Sequence, residues 1–426
     1  MSDTLEETLP AHAPLGPSSA EGWATCSDYV NANRGLPDTT TEPAAEGTAA
    51  HGISDICLTT GLDADDLLGI VTEVAGFTFA WEEDDAMLLQ HGIDKLRAAV
   101  GRGAFWGEHR VDISAWTLPG QFGTLDRAYI IYDAENDEWW IVVEDLKWGR
   151  GVAVSPVENK QIMLYALGFW AAIGRHQIPP GVVPRFRLII DQPRHAGGGG
   201  VWETTLDDLL AFGEWIRERA RLTAEPNPTR TASLKGCMWC RRRRVWPQGN
   251  FGGCDTYDTF MLSLLGWTWA DVDIALMMGT DMTLPTEMTP ERASFLLLHK
   301  DMIERWLKEL AERMLSAGLA GEATGEVKPV EGNKSADARQ SQGTGKTKLY
   351  PVRPVIERLL GDRGFTKMLK SPKQVLSLLT DDEDATKEVA QHIRMGTKKP
   401  TLVPLADARP AILAAQSMLD EEEEGD

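Results

Sequence analysis

Hydrophobic and polar positions change period several times along the chain, and each change predicts an element. The segments SSAEGWATCSDYV (18–30) and EPAAEGTAAHGISDICLTTG (42–61) have helical spacing, and the second closes on Gly61, a residue suited to ending a helix. Residues 82–101 carry acids in a first turn and apolar residues at i, i+3 and i+4, which predicts an amphipathic helix. The period then shortens: EHRVDISAW, GTLDRAYIIYD and EWWIVVEDLKW are rich in β-branched and aromatic residues, with AENDE as the turn between the last two, and predict three strands. Residues 157–175 return to helical spacing, and PRFRLIID predicts a fourth strand before the glycine loop 197–200.

Helical patterns follow at 205–223 and 255–272, and a long one at 288–318, whose Thr289-Pro290-Glu291 start suits an N-terminus. Residues 320–348 have the Gly, Lys, Ser and Gln content of a linker, and the chain ends in the acidic DEEEEGD. The expected organisation is a disordered tail over 1–17, an α/β domain over 18–255 and a helical extension over 256–319. A flexible linker over 320–348 and a helical C-terminal region with an acidic tail over 349–426 complete it.

Composition adds bounds. A chain of 426 residues with 42% apolar and 25% charged residues is ordinary globular protein, and a net charge of -21 argues against non-specific coating of nucleic acid. Only a local basic or metal-filled cleft would bind it. No apolar run approaches the roughly 18–20 residues that span a bilayer, and the start is acidic and Pro-rich, so the expected location is the cytoplasm, with no membrane partner. GTGKT at 343–347 ends like a phosphate-binding loop, but Gln340 stands where that pattern needs glycine and no buried strand precedes it.

The chemistry gathers on the strands. Asp145 and Lys147 are two apart at a strand end and share a face, and Asp126 lies on a strand joined to theirs by a short turn. Two facing carboxylates repel unless a proton or cation lies between them, and hard oxygen ligands suit Mg²⁺ or Mn²⁺. A lysine beside such a metal can orient water or offset transition-state charge. Alone, D-x-K at a strand end is weak evidence and reads first as a solvated ion pair.

The wider pattern carries a resemblance. GTAAH with His51, GTLD with Asp126, EDLK with Asp145 and Lys147, and QIMLY with Gln161 and Tyr165 resemble the ordered motifs of RecB-like PD-(D/E)XK nucleases. Together with DQPR, MTPERA and KKPTLVPLADARPAI they are similar to a bacteriophage and prophage family catalogued as a domain of unknown function. The resemblance implies a restriction-endonuclease-like core, a mixed central sheet flanked by helices. It implies that Asp126, Asp145 and His51 ligate a metal, with the backbone carbonyl of Leu146 as a further ligand, and that Lys147 is the catalytic lysine. Gln161 and Tyr165, on one helix face, would position substrate or catalytic groups. Glu108 is a secondary candidate, as a carboxylate for the same cleft or an exposed strand-end acid.

Cys237, Cys240 and Cys254, with Cys26 near the N-terminus, are similar to the one early and three late cysteines that hold a 4Fe-4S cluster in related AddB-type and CRISPR-adaptation nucleases. The wide gap before Cys254 departs from that pattern; a cluster, zinc and unmetallated thiols all remain open. Arg241, Arg242, Arg243 and Arg244 form the densest basic run, either a DNA-tracking edge or a solvated turn.

The expected function is a metal-dependent deoxyribonuclease, an exonuclease at DNA ends in phage replication or recombination. The alternatives are a catalytically weak DNA-binding scaffold and a structure-specific endonuclease. The expected partners are DNA ends, single-stranded ones included, and a phage single-strand-binding or recombination protein. A ring or dimer around DNA is compatible with this reading, but no feature of the sequence requires one.

Overall fold

Alternation along EWWIVVEDL puts Trp140, Val142 and Glu144 on one face of a strand and Ile141, Val143 and Asp145 on the other, and both faces are buried. This strand is the centre of the fold. The computed structural model describes residues 13–37, 40–101, 103–243, 253–278 and 289–322, with shorter stretches between 324 and 404. The chain forms two compact units, one of residues 1–243 and 254–296, the other of 244–253 and 297–426.

The first unit begins with α1 (Ala20–Thr25), α2 (Tyr29–Asn33) and α3 (Glu42–Thr60), and α3 ends on Gly61 in the left-handed region at φ 80. A hairpin of β1 (Val71–Val74) and β2 (Phe77–Ala80) leads to α4 (Glu83–Val100). Then come β3 (Phe105–Asp112), β4 (Phe122–Asp133), β5 (Glu138–Leu146), α5 (Lys160–Phe169), the short α6 (Arg175–Gln177), β6 (Arg185–Asp191), β7 (Gly200–Thr205) and α7 (Leu206–Thr223). The sheet order is β3-β4-β5-β6-β7; β5 and β6 are parallel and every other pair antiparallel. A parallel pair needs a crossover, and α5 supplies it.

Helices cover both faces. Ile141 and Val143 pack with α5, α7 and α1 in the main core, whereas Tyr129, Trp140 and Val142 pack with Leu96 of α4. From Ile162 to Phe169 every residue of α5 is buried. A Cβ on Gly168 would stand 2.9 Å from Val111 Cγ2, so glycine lets α5 lie close against β3. The unit closes with α8 (Asp255–Leu264), α9 (Trp269–Met278) and the start of α10 (Pro290–Leu298).

The second unit contains α11 (Lys300–Leu319), which buries Trp306, Glu309, Arg313 and Ala317 along one face. It also has β8 (Val327–Val330), β9 (Lys334–Ala338), α12 (Glu383–Ala390), β10 (Ile393–Thr397) and β11 (Thr401–Pro404). β8 pairs with β11 and β9 with β10, both antiparallel.

Several sequence expectations are revised. The tail does not reach residue 17: Leu15 is buried in the main core, and its N–H donates to Gln121 Oε1 at 2.8 Å. Residues 1–12 lie outside the described residues, as do GTGKT and DEEEEGD. Residues 18–30 form two short helices rather than one, the first ending at Cys26 in extended backbone. The single helix expected over 288–318 is two, α10 and α11, separated at His299, and Leu297 and Leu298 at the end of the first are exposed. Linker composition at 320–348 conceals β8 and β9, whose partners lie far along the chain. No single helix among the described residues is long and apolar enough to cross a membrane, although the bent pair α8–α9 passes the same test of length and composition.

Candidate functional site

At one end of the sheet, β4 and β5 bring their acids together. Asp126 Oδ2 accepts the backbone N–H of Leu146 at 2.7 Å, which anchors the carboxylate of one strand to the residue after Asp145 on the next. Asp145 is 1% exposed, and its Oδ1 accepts from Gln161 Nε2 at 3.0 Å. Its buried Oδ2 is paired with the Lys147 ammonium, 2.7 Å away. Both oxygens of this buried carboxylate are therefore held in place, one by an amide and one by a cation.

Gln161 is placed by the start of α5, where Asn159 caps the helix by accepting from the N–H groups of Gln161 and Ile162. Its Nε2 also lies 3.3 Å from the hydroxyl of the buried Tyr165, one turn on. Both residues therefore face Asp145 from the crossover helix.

His51 comes from α3. Its Nδ1 is 3.5 Å from Asp126 Oδ1 and 3.6 Å from Glu108 Oε1. In the β3–β4 ladder Gly107 pairs with Arg127 and His109 with Leu125, so Glu108 and Asp126 face each other where the pairing is interrupted. Glu108 adopts φ 41, a costly conformation for a residue with a Cβ. One ligand atom each from His51, Glu108 and Asp126 fits within 4.8 Å, so these three side chains can hold a metal ion. They line a small cleft together with Ser54, Asp55, Leu58, Arg127 and Leu146.

The electrostatics suit a cation. Burial and the neighbouring Asp145 charge push Asp126 up to about 7. For His51, burial opposes the charged form, but Glu108, Asp126 and Asp145 outweigh it and raise the pKa. Lys147 is likewise raised, because Asp145 and Asp126 overcome the burial that would neutralise it. Burial, with Asp145 and Asp126 adding to it, pushes the Tyr165 phenol up, so it stays protonated. The site holds more negative charge than it can carry without a proton or a metal.

Three supports were not visible in the sequence. Arg127, 1% exposed, forms an ion pair with the buried Glu144, approaches Asp191 Oδ2 at 3.4 Å, and donates to Ser54 Oγ at 2.7 Å. It thereby ties β4 to α3 one turn beyond His51. Gln192 holds the segment after Lys147, donating to the carbonyls of Gly149 and Val152 and accepting from Val154 N–H. Asp55, a turn along α3 from His51, adds a carboxyl whose pKa is raised by burial and by Glu108.

The four cysteines also converge. Cys26, Cys237, Cys240 and Cys254 line one pocket with Arg230, Arg242, Arg243 and Tyr257. The walls are stitched together independently of any ligand: Ser27 Oγ donates to Thr229 O at 2.9 Å, and Arg230 Nε to Asp28 Oδ2 at 2.7 Å. Burial pushes the thiols of Cys26 and Cys254 up and that of Cys237 to about 11, so binding a metal there would displace protons. Cys57 stands apart, buried in α3.

Of the basic run, Arg243 is buried, whereas Arg241 and Arg242 are half-exposed. Arg243 is 2% exposed and donates to the carbonyls of Cys240 and Met238, and Arg241 donates to Leu36 O at 3.2 Å. Arg242 lines the cysteine cavity, and Arg244 lies outside the described residues.

Fold and site together define an α/β protein with a carboxylate–histidine–lysine cluster at a sheet end and a four-cysteine pocket. Residues 12–250 match the family described as "Protein of unknown function (DUF2800)", and the chain belongs to that family. Among solved structures, one described as a "putative exonuclease" from Eubacterium rectale is similar over 55% of this chain and 90% of its own, with 11% identity and a TM-score of 0.28.

Proposed function

We propose that the protein is a metal-dependent nuclease that hydrolyses DNA phosphodiester bonds, acting as an exonuclease at DNA ends in phage replication or recombination. The observation that carries this reading is the convergence of Asp126, Asp145 and Lys147 with His51 and Glu108 at one sheet end, where His51, Glu108 and Asp126 can each offer a ligand atom to one ion. His51, Glu108, Asp126 and Asp145, with the Leu146 carbonyl, would hold Mg²⁺ or Mn²⁺. When bound, such an ion polarises a phosphate oxygen and lowers the pKa of a water.

The protein's own groups do the remaining work. Gln161 fixes the rotation of the Asp145 carboxylate by donating to Oδ1, which leaves Oδ2 directed into the site. Lys147, kept charged by the two aspartates, orients the attacking water and offsets the charge that builds on the phosphate oxygens. The four-cysteine cavity, in the same reading, holds a 4Fe-4S cluster that ties residues 26–28 to 229–257; zinc is the lesser alternative.

Incubating the purified protein with linear and with closed circular DNA, in Mg²⁺, in Mn²⁺ and in chelator, beside Lys147→Ala, tests the enzyme reading. Loss of linear DNA alone, with metal and with Lys147 intact, is the expected result. Cutting of the circle as well moves the assignment to an endonuclease. No cutting with either metal, or equal cutting by Lys147→Ala, leaves a binding scaffold and refutes the proposal.

A further inference from the structure

Arg242 shares the cavity of the four cysteines, and its Nε is buried without a hydrogen-bond partner. The neighbouring arginines are committed to the protein itself: Arg243 to the carbonyls of Cys240 and Met238, Arg241 to that of Leu36, and Arg230 to Asp28. Arg243 therefore shapes the Cys237–Cys240 loop, and Arg230 joins the two walls. Arg242 as a whole is half-buried, but its Nε is shut off from solvent, and a buried donor without a partner is costly unless a bound group meets it. The space it shares with the four cysteines is where such a partner would sit.

We propose that Arg242 is a positioning and charge-balancing residue for an anionic, thiolate-ligated iron–sulfur cluster held by Cys26, Cys237, Cys240 and Cys254, donating its Nε–H to a cluster or cysteine sulfur. This rests on the cluster reading of the cysteines. Four thiolates around a cubane leave the assembly negative, and reduction adds one more electron, so a guanidinium beside it favours the reduced form. Arg242 is then part of a cofactor site. Neutral Arg242→Gln should lower the reduction potential and speed the loss of iron to a chelator. Arg242→Lys, which keeps the charge without the planar donor, should preserve most of the potential.

The test is anaerobic purification and reconstitution of the full chain with iron and sulfide, for wild type, Arg242→Gln, Arg242→Lys and Cys240→Ser. The measurements are iron and sulfide content, the visible spectrum, a reductive titration and the rate of bleaching by chelator; circular dichroism confirms that each variant is folded. Support is a cluster in wild type, a downward shift in potential and faster bleaching in Arg242→Gln, and near-recovery in Arg242→Lys. A cluster whose potential and bleaching rate are the same in Arg242→Gln as in wild type overturns the role of Arg242 alone. A wild-type protein that takes up no iron, or takes zinc in its place, overturns the cluster reading and this proposal with it. Neither result touches the nuclease reading, which rests on the other site.

Discussion

Asp126 and Leu146 are joined across two strands by a 2.7 Å hydrogen bond from the Leu146 N–H to the Asp126 carboxylate. The bond spends one oxygen of Asp126 on holding the strand end and leaves the other facing His51. Asp126→Asn keeps an acceptor for the N–H and removes the charge. The expected result is a folded protein whose Mn²⁺ affinity falls at least about tenfold, measured by calorimetry.

The raised pKa of Asp126 has a pH signature. Its folded value of about 7 lies above the ordinary 3.8, so the protonated form adds stability below about pH 4 that is lost as pH rises through about 7. The raised His51 acts with the same sign. Melting temperatures in chelator should therefore fall between about pH 4 and 8, less steeply in Asp126→Asn, and a divalent ion should restore them at the upper end. A flat profile in wild type would show that the two carboxylates do not share a site.

Lys147→Met separates charge from bulk. Activity should drop by about 10²–10³-fold while Mn²⁺ still binds, as read by electron paramagnetic resonance, because the lysine is no ligand. Loss of metal binding in the same variant would assign Lys147 a structural part instead.

Arg127→Met should destabilise the fold by about 3–5 kcal/mol in denaturant titrations, since Glu144 is left buried without its partner. Adding Glu144→Gln should recover part of the loss. The double variant should still bind metal more weakly than wild type, because Ser54 and the His51 helix have lost their tie to β4.

Gln161→Leu leaves Asp145 Oδ1 without its donor, at a cost of about 1–3 kcal/mol, and frees the carboxylate to rotate. The expected reading is a lower kcat with KM little changed. Tyr165→Phe, whose hydroxyl only touches Gln161, should have a smaller effect.

How much of this was legible depends on how local the signal is. The strands around Asp126 and Asp145 announce themselves by β-branched and aromatic runs, and the sequence order helix, three strands, helix, strand is the observed one. The β1–β2 hairpin is hidden because its turn, Ala75-Gly76, takes positive φ at both residues, and alanine is no signal for that conformation. β7 is hidden behind the glycines that precede it. The sequence also brings forward His51, Glu108, Gln161 and Tyr165, all of which the fold gathers near Asp126 or Asp145. It could not reveal Arg127 with Ser54, Glu144 and Asp191, because nothing in the spacing of those residues marks them as neighbours. Nor could it reveal that Arg242 and Arg243 line the cysteine cavity, since a basic run looks the same on a groove as around a pocket.

The cysteine pocket draws on Cys26 and Cys254, whereas the acidic site uses residues between His51 and Tyr165. The acidic site therefore draws its side chains from one stretch of the chain, while the pocket clasps two segments more than 200 residues apart in sequence. Any cofactor bound by all four thiols would act as a clasp across that stretch, closing a loop that contains the acidic site.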